Sequence, residues 1–326
     1  MNSFGTAFRV TVFGESHGPL IGVTIDGCPA GIDLDPSDFI KDLDRRQAGA
    51  AGTTPRQEDD LPELVSGVFN GKTTGAPLTV LFRNSNVRSQ DYDALRATPR
   101  PGHADFVLHQ KYKSFNDYRG GGHSSGRLTL TLVSAGVIAK KLLPDISIAA
   151  TLIEAGGYKD IDAAIQKAIE AQDSIGGIVE CIASGLHIGL GEPFFNSVES
   201  LISHAVFSIP ATKGIEFGSG FASAAMTGSE NNDPIISEDG RTSSNHAGGV
   251  NGGISNGNDL VFRVAVKPTS STPQVQSTWN RESQSVQPFQ VRGRHDLCIA
   301  LRVPVVVEAV TAMVLADLFL QHRSCL

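Results

Sequence analysis

Strands that come in clusters, instead of alternating one by one with helices, predict an α+β fold for this chain. Alternating apolar residues mark the strands, and a few apolar or small-residue runs mark the helices. No fixed-period repeat or low-complexity tether divides the chain, so residues 1–326 read as one compact domain. Residues 8–13 (FRVTVF) alternate as a half-buried strand, and residues 20–25 follow a Gly18-Pro19 turn as a second. Residues 77–83 (PLTVLFR), 177–186 and 259–267 (DLVFRVAVK) extend the strand set. Ser37 is placed as an N-cap ahead of Phe39, Ile40 and Leu43. Residues 130–143 form an apolar, small-residue helix, and Ile161, Ile165 and Ile169 recur at helical spacing. A last helix covers 303–320; Glu308 and Asp317 interrupt its apolar run, which predicts a buried helix and not a membrane span.

Composition narrows the function. With 40% hydrophobic and 19% charged residues the chain is globular, and a net charge of −7 argues against nucleic acid or an anionic membrane as partner. Any anion must therefore be held locally. Four cysteines, Cys28, Cys181, Cys298 and Cys325, lack CxxC or zinc spacing, so neither a disulfide framework nor a metal site is expected. The first thirteen residues carry no basic leader or apolar core, which places the expected location in the cytoplasm. Glycine is the unusual residue: 35 of 326, about one in nine against roughly 7% in ordinary proteins, so the backbone must approach something closely.

Several short segments carry chemistry. Gly14-Glu15-Ser16-His17-Gly18 matches the G-x-S-x-G nucleophile elbow of serine hydrolases, with Ser16 as the nucleophile. An elbow needs a sheet built before it, yet only thirteen residues precede Gly14, and a tight turn carrying an exposed histidine is the plainer reading. Residues 67–73 (GVFNGKT) have three residues between the glycines where a P-loop has four, so they read as a hairpin-like turn. Neither G-x-G-x-x-G after a strand nor HExxH occurs, which leaves a Rossmann dinucleotide site and a zincin unsupported.

In Pro99-Arg100-Pro101-Gly102-His103-Ala104-Asp105, two prolines stiffen a segment that carries an imidazole, a sensible way to fix it for acid–base work. Arg119-Gly120-Gly121-Gly122-His123-Ser124-Ser125-Gly126-Arg127 precedes a helical pattern, the arrangement that offers backbone N–H groups and arginines to an anion. Later come Ser244-Asn245-His246-Ala247-Gly248-Gly249, then Gly252-Gly253-Ile254-Ser255, then Lys267-Pro268-Thr269-Ser270-Ser271, where a cation meets three hydroxyls. Arg292-Gly293-Arg294-His295-Asp296 sets two arginines beside a His-Asp pair. With Arg45, Arg46, Arg100, Arg119 and Arg127 these form an arginine set that suits a small polyanionic substrate.

In order, GESHG, DLDRR, PRPGHAD, RGGG-x-SS-x-R, SNHAGG, GGIS, KPTSS and GRHD resemble the chorismate synthase family, from residue 8 to about 317. The resemblance implies a β-α-β sandwich of two similar α/β halves, a homotetramer, and FMN and substrate in one arginine-lined cleft. It implies a 1,4-anti elimination (EC 4.2.3.5) in which 5-enolpyruvylshikimate 3-phosphate loses phosphate and a C6 hydrogen to give chorismate. The flavin must be reduced, with NADPH as a reductant where the enzyme recharges it. By motif, His17 resembles the histidine that protonates the leaving phosphate, His103 the one facing the flavin's pyrimidine edge, and Asp296 the acid near flavin N5, helped by Ser16 and Ser125. Arg45, Arg46, Arg100, Arg127 and Arg294 resemble the anion clamps, Arg294 serving both substrate and cofactor, and Arg46 would also serve an NADP site. Flavin contacts are implied for His123, Ser124, Ser125, Ala211, Gly252, Lys267, Pro268, Thr269, Ser270 and Ser271. The chain departs from the family pattern where His123 replaces arginine and Leu128 replaces glutamate. It also departs within 48–52, where an arginine is replaced, and in a shorter 145–175 segment and C-terminal tail. A homologue that binds flavin or anions without turnover is the second alternative beside the hydrolase; intact His17, His103 and Asp296 weigh against it.

Overall fold

The computed structural model describes residues 2–325 except 48, 50, 51, 54–58, 85–92 and 292–295. The first half runs β1 (Ser3–Phe4), β2 (Arg9–Gly14), β3 (Leu20–Asp26), α1 (Ser37–Arg46), β4 (Glu63–Ser66), β5 (Val68–Phe69), β6 (Lys72–Thr73), β7 (Leu78–Arg83), α2 (Asp93–Ala97), α3 (Asp105–Lys111) and α4 (Thr129–Lys141). The second runs β8 (Ser147–Ala155), α5 (Ile161–Ala171), β9 (Gly177–Ser184), α6 (Val198–Val206), β10 (Thr212–Phe217), α7 (Gly228–Asn231), β11 (Val250–Asn251), β12 (Ile254–Ser255), β13 (Leu260–Val266), β14 (Gln276–Asn280), β15 (Ser285–Phe289) and α8 (Pro304–Cys325).

Among the described residues each half builds one large antiparallel sheet, ordered β1-β2-β3-β7-β4 in the first and β10-β13-β9-β8 in the second, beside the two-stranded hairpins β5-β6, β11-β12 and β14-β15. Period-two alternation turns one face of each sheet inward: Ile21, Val23, Ile25, Leu78, Val80 and Phe82 in the first, Val179, Cys181, Leu260, Phe262 and Val264 in the second. Helix α4 packs on β2 and β3, α8 packs on β8 and β9, and the two helices pack on each other. The result is a sandwich with its helices inside, as expected for the α+β class. Helices so placed must be apolar all round, and every residue of α4 from Thr129 to Ala139 is buried.

Two carboxylates in α8 explain why a core helix can carry charge. Asp317 Oδ1 accepts the backbone N–H groups of Thr6, Ala7 and Phe8 at 2.9, 2.6 and 2.8 Å, which ties the chain's start to its last helix. Glu308 accepts from both Arg45 Nη atoms (2.7 and 2.6 Å), from Lys140 Nζ and from the Ala150 N–H, joining α8 to α1, α4 and β8. By length and composition α8 is long and apolar enough to cross a membrane, but 78% of that stretch is buried inside the protein.

Some local expectations need correction. Ser37 is the first residue of α1 and not its cap: its N–H donates to the Asp35 carboxylate at 2.9 Å, so the preceding aspartate does the capping work. The buried stripe of α5 is Ala164, Ile165 and Ala168, with Ile169 exposed, because small alanines let the helix sit close on β8. Residues 67–73 do form a hairpin, β5–β6, whose turn residues Asn70 and Gly71 hold φ of 50° and 72° as a primed turn requires.

Glu308 gives a pH test. Burial alone would raise its pKa, but the hydrogen bonds from Arg45 and the Ala150 N–H, with Lys140 beside them, hold it below the ordinary 4.5. A depressed carboxylate stabilises the fold above its unfolded pKa, and that contribution is lost as pH falls through the folded value. Glu308→Gln should therefore lower stability at pH 7 by about 1–3 kcal/mol. The gap to wild type should narrow as pH falls below roughly 4. Urea titrations of both proteins at pH 7 and 3.5 measure it; an unchanged gap would refute the assignment.

Candidate active site

The site begins at the β2–β3 turn. Gly14 holds φ of 95°, the Gly18 N–H donates to the Glu15 carbonyl, and the chain returns as a strand. This is a hairpin, whereas a nucleophile elbow runs from strand into helix, so the serine-hydrolase reading fails on geometry. Ser16 Oγ does lie 3.1 Å from His17 Nδ1, but both side chains are buried and not displayed above a sheet. The exposed histidine of the plainer reading is corrected by the same burial.

The burial comes from the glycine run. Gly120, Gly121 and Gly122 hold φ of 57°, 84° and 54° in succession, which side-chain-bearing residues rarely adopt. The Gly122 carbonyl accepts the Ser16 N–H at 3.1 Å, docking the run onto the turn. A Cβ on Gly120 would overlap the His17 ring and lie 2.8 Å from Ser16 Oγ. A Cβ on Gly121 would lie 3.6 Å from His103 Cε1. The two histidines thus rest against adjacent glycines.

His103 is held from behind. Its Nδ1 lies 2.7 Å from Asp105 Oδ1, and Arg100 grips the same carboxylate through Nε and Nη2 at 2.8 and 2.9 Å while Nη1 donates to Ser271. Burial would raise the Asp105 pKa, but Arg100 and His103 hold it well below the usual carboxylate range. Arg100, expected as a substrate clamp, spends its donors here.

A cavity of about 670 Å³ opens in front, within the usual range for small-molecule sites. It gathers His103, His123, Ser124, Ser125, Ala211 and the run from Lys267 to Ser271, together with Gly120. Val10, Val12, Leu128, Leu132, Ile299 and Met313 supply an apolar wall. Ala211 holds φ of 74°, unusual for a residue with a Cβ, and its carbonyl accepts the Lys267 N–H. Lys267 Nζ donates to the Gly102 carbonyl and Ser270 Oγ, and desolvation, with Lys213 nearby, lowers its pKa. An anion beside it would favour the charged form. Ser125 Oγ accepts the Arg127 N–H, capping the turn that leads into α4.

The other arginines lie behind the cavity wall. Arg127 donates to Asn84 Oδ1 and Asp60, while Asn84 Nδ2 donates to the Glu15 and Gly18 carbonyls and so braces the His17 turn. Arg46 is buried on Thr129 and the Gly126 and Arg127 carbonyls; burial, then Arg302 and Arg127, push its pKa down to about 9 despite Asp60 and Asp296. Asp296 pairs with Arg302, whose Nε donates to the Arg46 carbonyl. Arg45 does not reach the cavity, because Glu308 and Asp42 hold its guanidinium. Gly252 turns the β11–β12 hairpin and does not line the cavity either. Arg294 lies outside the described residues. His123 lines the cavity with Nδ1 donating to the Gly14 carbonyl at 2.7 Å and Nε2 3.2 Å from Asn2 Oδ1, so both nitrogens already face protein oxygens.

Asp105, Asp60, Asn84 and Arg302 were missed as site residues. Asp105 was legible two residues after His103; the others carry no local motif, since long-range folding alone brings them in.

Histidines against a glycine-lined cleft, backed by buried arginines, define an enzyme that handles a small anion. A model of the chorismate synthase family matches residues 8–320. The chorismate synthase of Chitinophaga pinensis is 67% identical and covers 99% of this chain and 98% of its own. That of Methanocaldococcus jannaschii is 41% identical, covering 98% and 97%. A crystal structure of a chorismate synthase superposes with a TM-score of 0.76 at 26% identity, over 98% of this chain and 93% of that one. The chain belongs to the chorismate synthase family and is a lyase of that kind.

Gly120→Ala should displace His17 and lower turnover about 10- to 100-fold, the cost of a misplacement near 1 Å. Gly228→Ala, where a Cβ meets nothing within 4 Å, serves as the control. Equal steady-state rates for the two variants would show that the glycine contact does not position His17.

Proposed function

We propose that the chain converts 5-enolpyruvylshikimate 3-phosphate to chorismate by 1,4-anti elimination, with reduced FMN in the cavity. The observation that carries this reading is the pair His17 and His103 held against adjacent glycines, with His103 and Gly120 lining the cavity and His17 buried behind Gly120. The lining fits the cofactor: an apolar wall suits a flat ring system, and the hydroxyls with Lys267 suit an anionic tail. When bound, reduced flavin supplies the electron density that eases C–O cleavage and takes up the hydrogen. The protein binds, orients and moves protons.

His17 is the group assigned to protonate the departing phosphate, and its burial keeps bulk water from that step. His103 lines the cavity and, with Nδ1 engaged by Asp105, has Nε2 left to serve it, and Asp296 and Ser125 are assigned to proton relay. Arg46 and Arg127 supply the positive field that favours a bound dianion. NADPH as reductant is part of the same reading, but direct contact through Arg46 is disfavoured by its burial. A homotetramer is supported by the large exposed side chains of Phe194, Phe195 and Phe221. A cytoplasmic location accords with the free, buried Cys28, Cys181 and Cys298.

Under anaerobic conditions with photoreduced FMN, phosphate and chorismate should form in equal amounts, and with oxidised FMN neither should form. Absorbance of chorismate and a phosphate assay test it; turnover with oxidised flavin and no reductant refutes the mechanism. His17→Ala and His103→Ala should each lower turnover roughly 10²- to 10⁴-fold with folding spared. Rates above about a third of wild type in both, where chemistry limits, would remove the acid–base assignment.

A further inference from the structure

His103 lines the cavity, its Nδ1 is engaged by protein groups, and a proton can sit on either ring nitrogen. Nδ1 lies 2.7 Å from Asp105 Oδ1, and an ionised carboxylate only accepts. Two lone pairs at that distance would repel, so Nδ1 carries the proton. Arg100 Nη2 and the Asp105 backbone N–H, 3.1 and 3.3 Å from the same nitrogen, are donors that must yield to that proton; the 2.7 Å carboxylate contact outweighs them, and Arg100 acts through the carboxylate. Asp105 itself cannot swing away. Arg100 binds both its oxygens, its side chain is 9% exposed, and Arg281, with buried Nε and Nη2, adds a second positive charge facing it.

We propose that Asp105 is the positioning residue of the site: clamped by Arg100, it holds His103 in the Nδ1–H form and so turns an unprotonated Nε2 to the cavity. Asp105 does not line the cavity; it acts through the imidazole. Arg100, in turn, serves the reaction from behind the histidine. In serine-protease triads the same carboxylate–imidazole arrangement is worth about 10⁴ in rate, lost when the amide substitutes and the tautomer inverts. The kinetic part of this inference rests on the elimination proposed above; the tautomer does not.

The test is ¹⁵N NMR of the full-length chain labelled at histidine, at pH 8, with the His103 signals assigned by their loss in His103→Gln. Wild type should show the Nδ1–H form. Asp105→Asn should shift the population to Nε2–H and lower kcat by about 10²-fold or more, with KM within about threefold. Asp105→Glu should regain at least about tenfold of the lost rate, because it keeps the carboxylate. A wild-type His103 in the Nε2–H form overturns the proposal even if the variants fail to fold. So does an Asp105→Asn enzyme with wild-type tautomer and kcat. A wild type in the Nδ1–H form that makes no chorismate would instead sink the assigned reaction and leave the positioning role supported.

Discussion

The close approach of α4 and α8 governs the rest of the molecule. A Cβ on Gly136 would overlap the Ala309 backbone, so the helices touch main chain to main chain and the two sheets stand only two helices apart. Asp317 and Glu308 bind α8 to the first turn of the chain and to α1, α4 and β8, so each half of the sandwich is anchored to the other by a buried carboxylate as well as by apolar contact. A carboxylate so satisfied costs little in a core, while an unpaired one would cost several kcal/mol.

From that frame the site follows with little freedom. Helix α4 begins at Thr129, whose hydroxyl accepts from Arg46, and the residues just before it are Arg127, Ser125 and the glycine run. Fixing α4 therefore fixes the loop that both histidines lean on. The β2–β3 turn is pinned separately, by the Ser16 N–H on Gly122 and by Asn84 across to Arg127. His123 adds a third pin by joining Gly14 to Asn2. His123 thus knits the chain's start to the cavity rim.

Much of this was legible in residues, and the reason differs from place to place. The strands with strict alternation, such as Leu260–Val266, appear within a residue or two of expectation, because one face of each is buried and the period is two. The Arg119–Arg127 segment read correctly as a loop before a helix because three successive glycines have few other uses. Helix α5 misled: isoleucines outrank alanines on any hydropathy scale, yet close packing on β8 selects the small residues. Arg45 and Arg100 misled for a related cause. Their charge was legible, but whether a guanidinium meets a ligand or a carboxylate depends on Glu308 and Asp105, and Glu308 lies 263 residues from Arg45.

The arrangement of charge then explains how an acidic protein with a net charge of −7 can hold a polyanion. Overall charge matters at a distance and is screened within about 10 Å at ordinary salt, whereas the groups behind the cavity wall act at contact range in a poorly solvated place. Arg46 shows the consequence. Buried, and with Arg302 and Arg127 opposing Asp60 and Asp296, its protonated state is disfavoured relative to water. A dianion arriving in front of Arg46 and Arg127 relieves that penalty, so part of the burial cost is offset only when substrate is present. The same holds for Lys267, which lines the cavity and whose ammonium pKa is lowered by desolvation. Cations prepared in this way favour the ligand that completes them, and they favour it more as negative charge gathers on a departing phosphate than before it leaves.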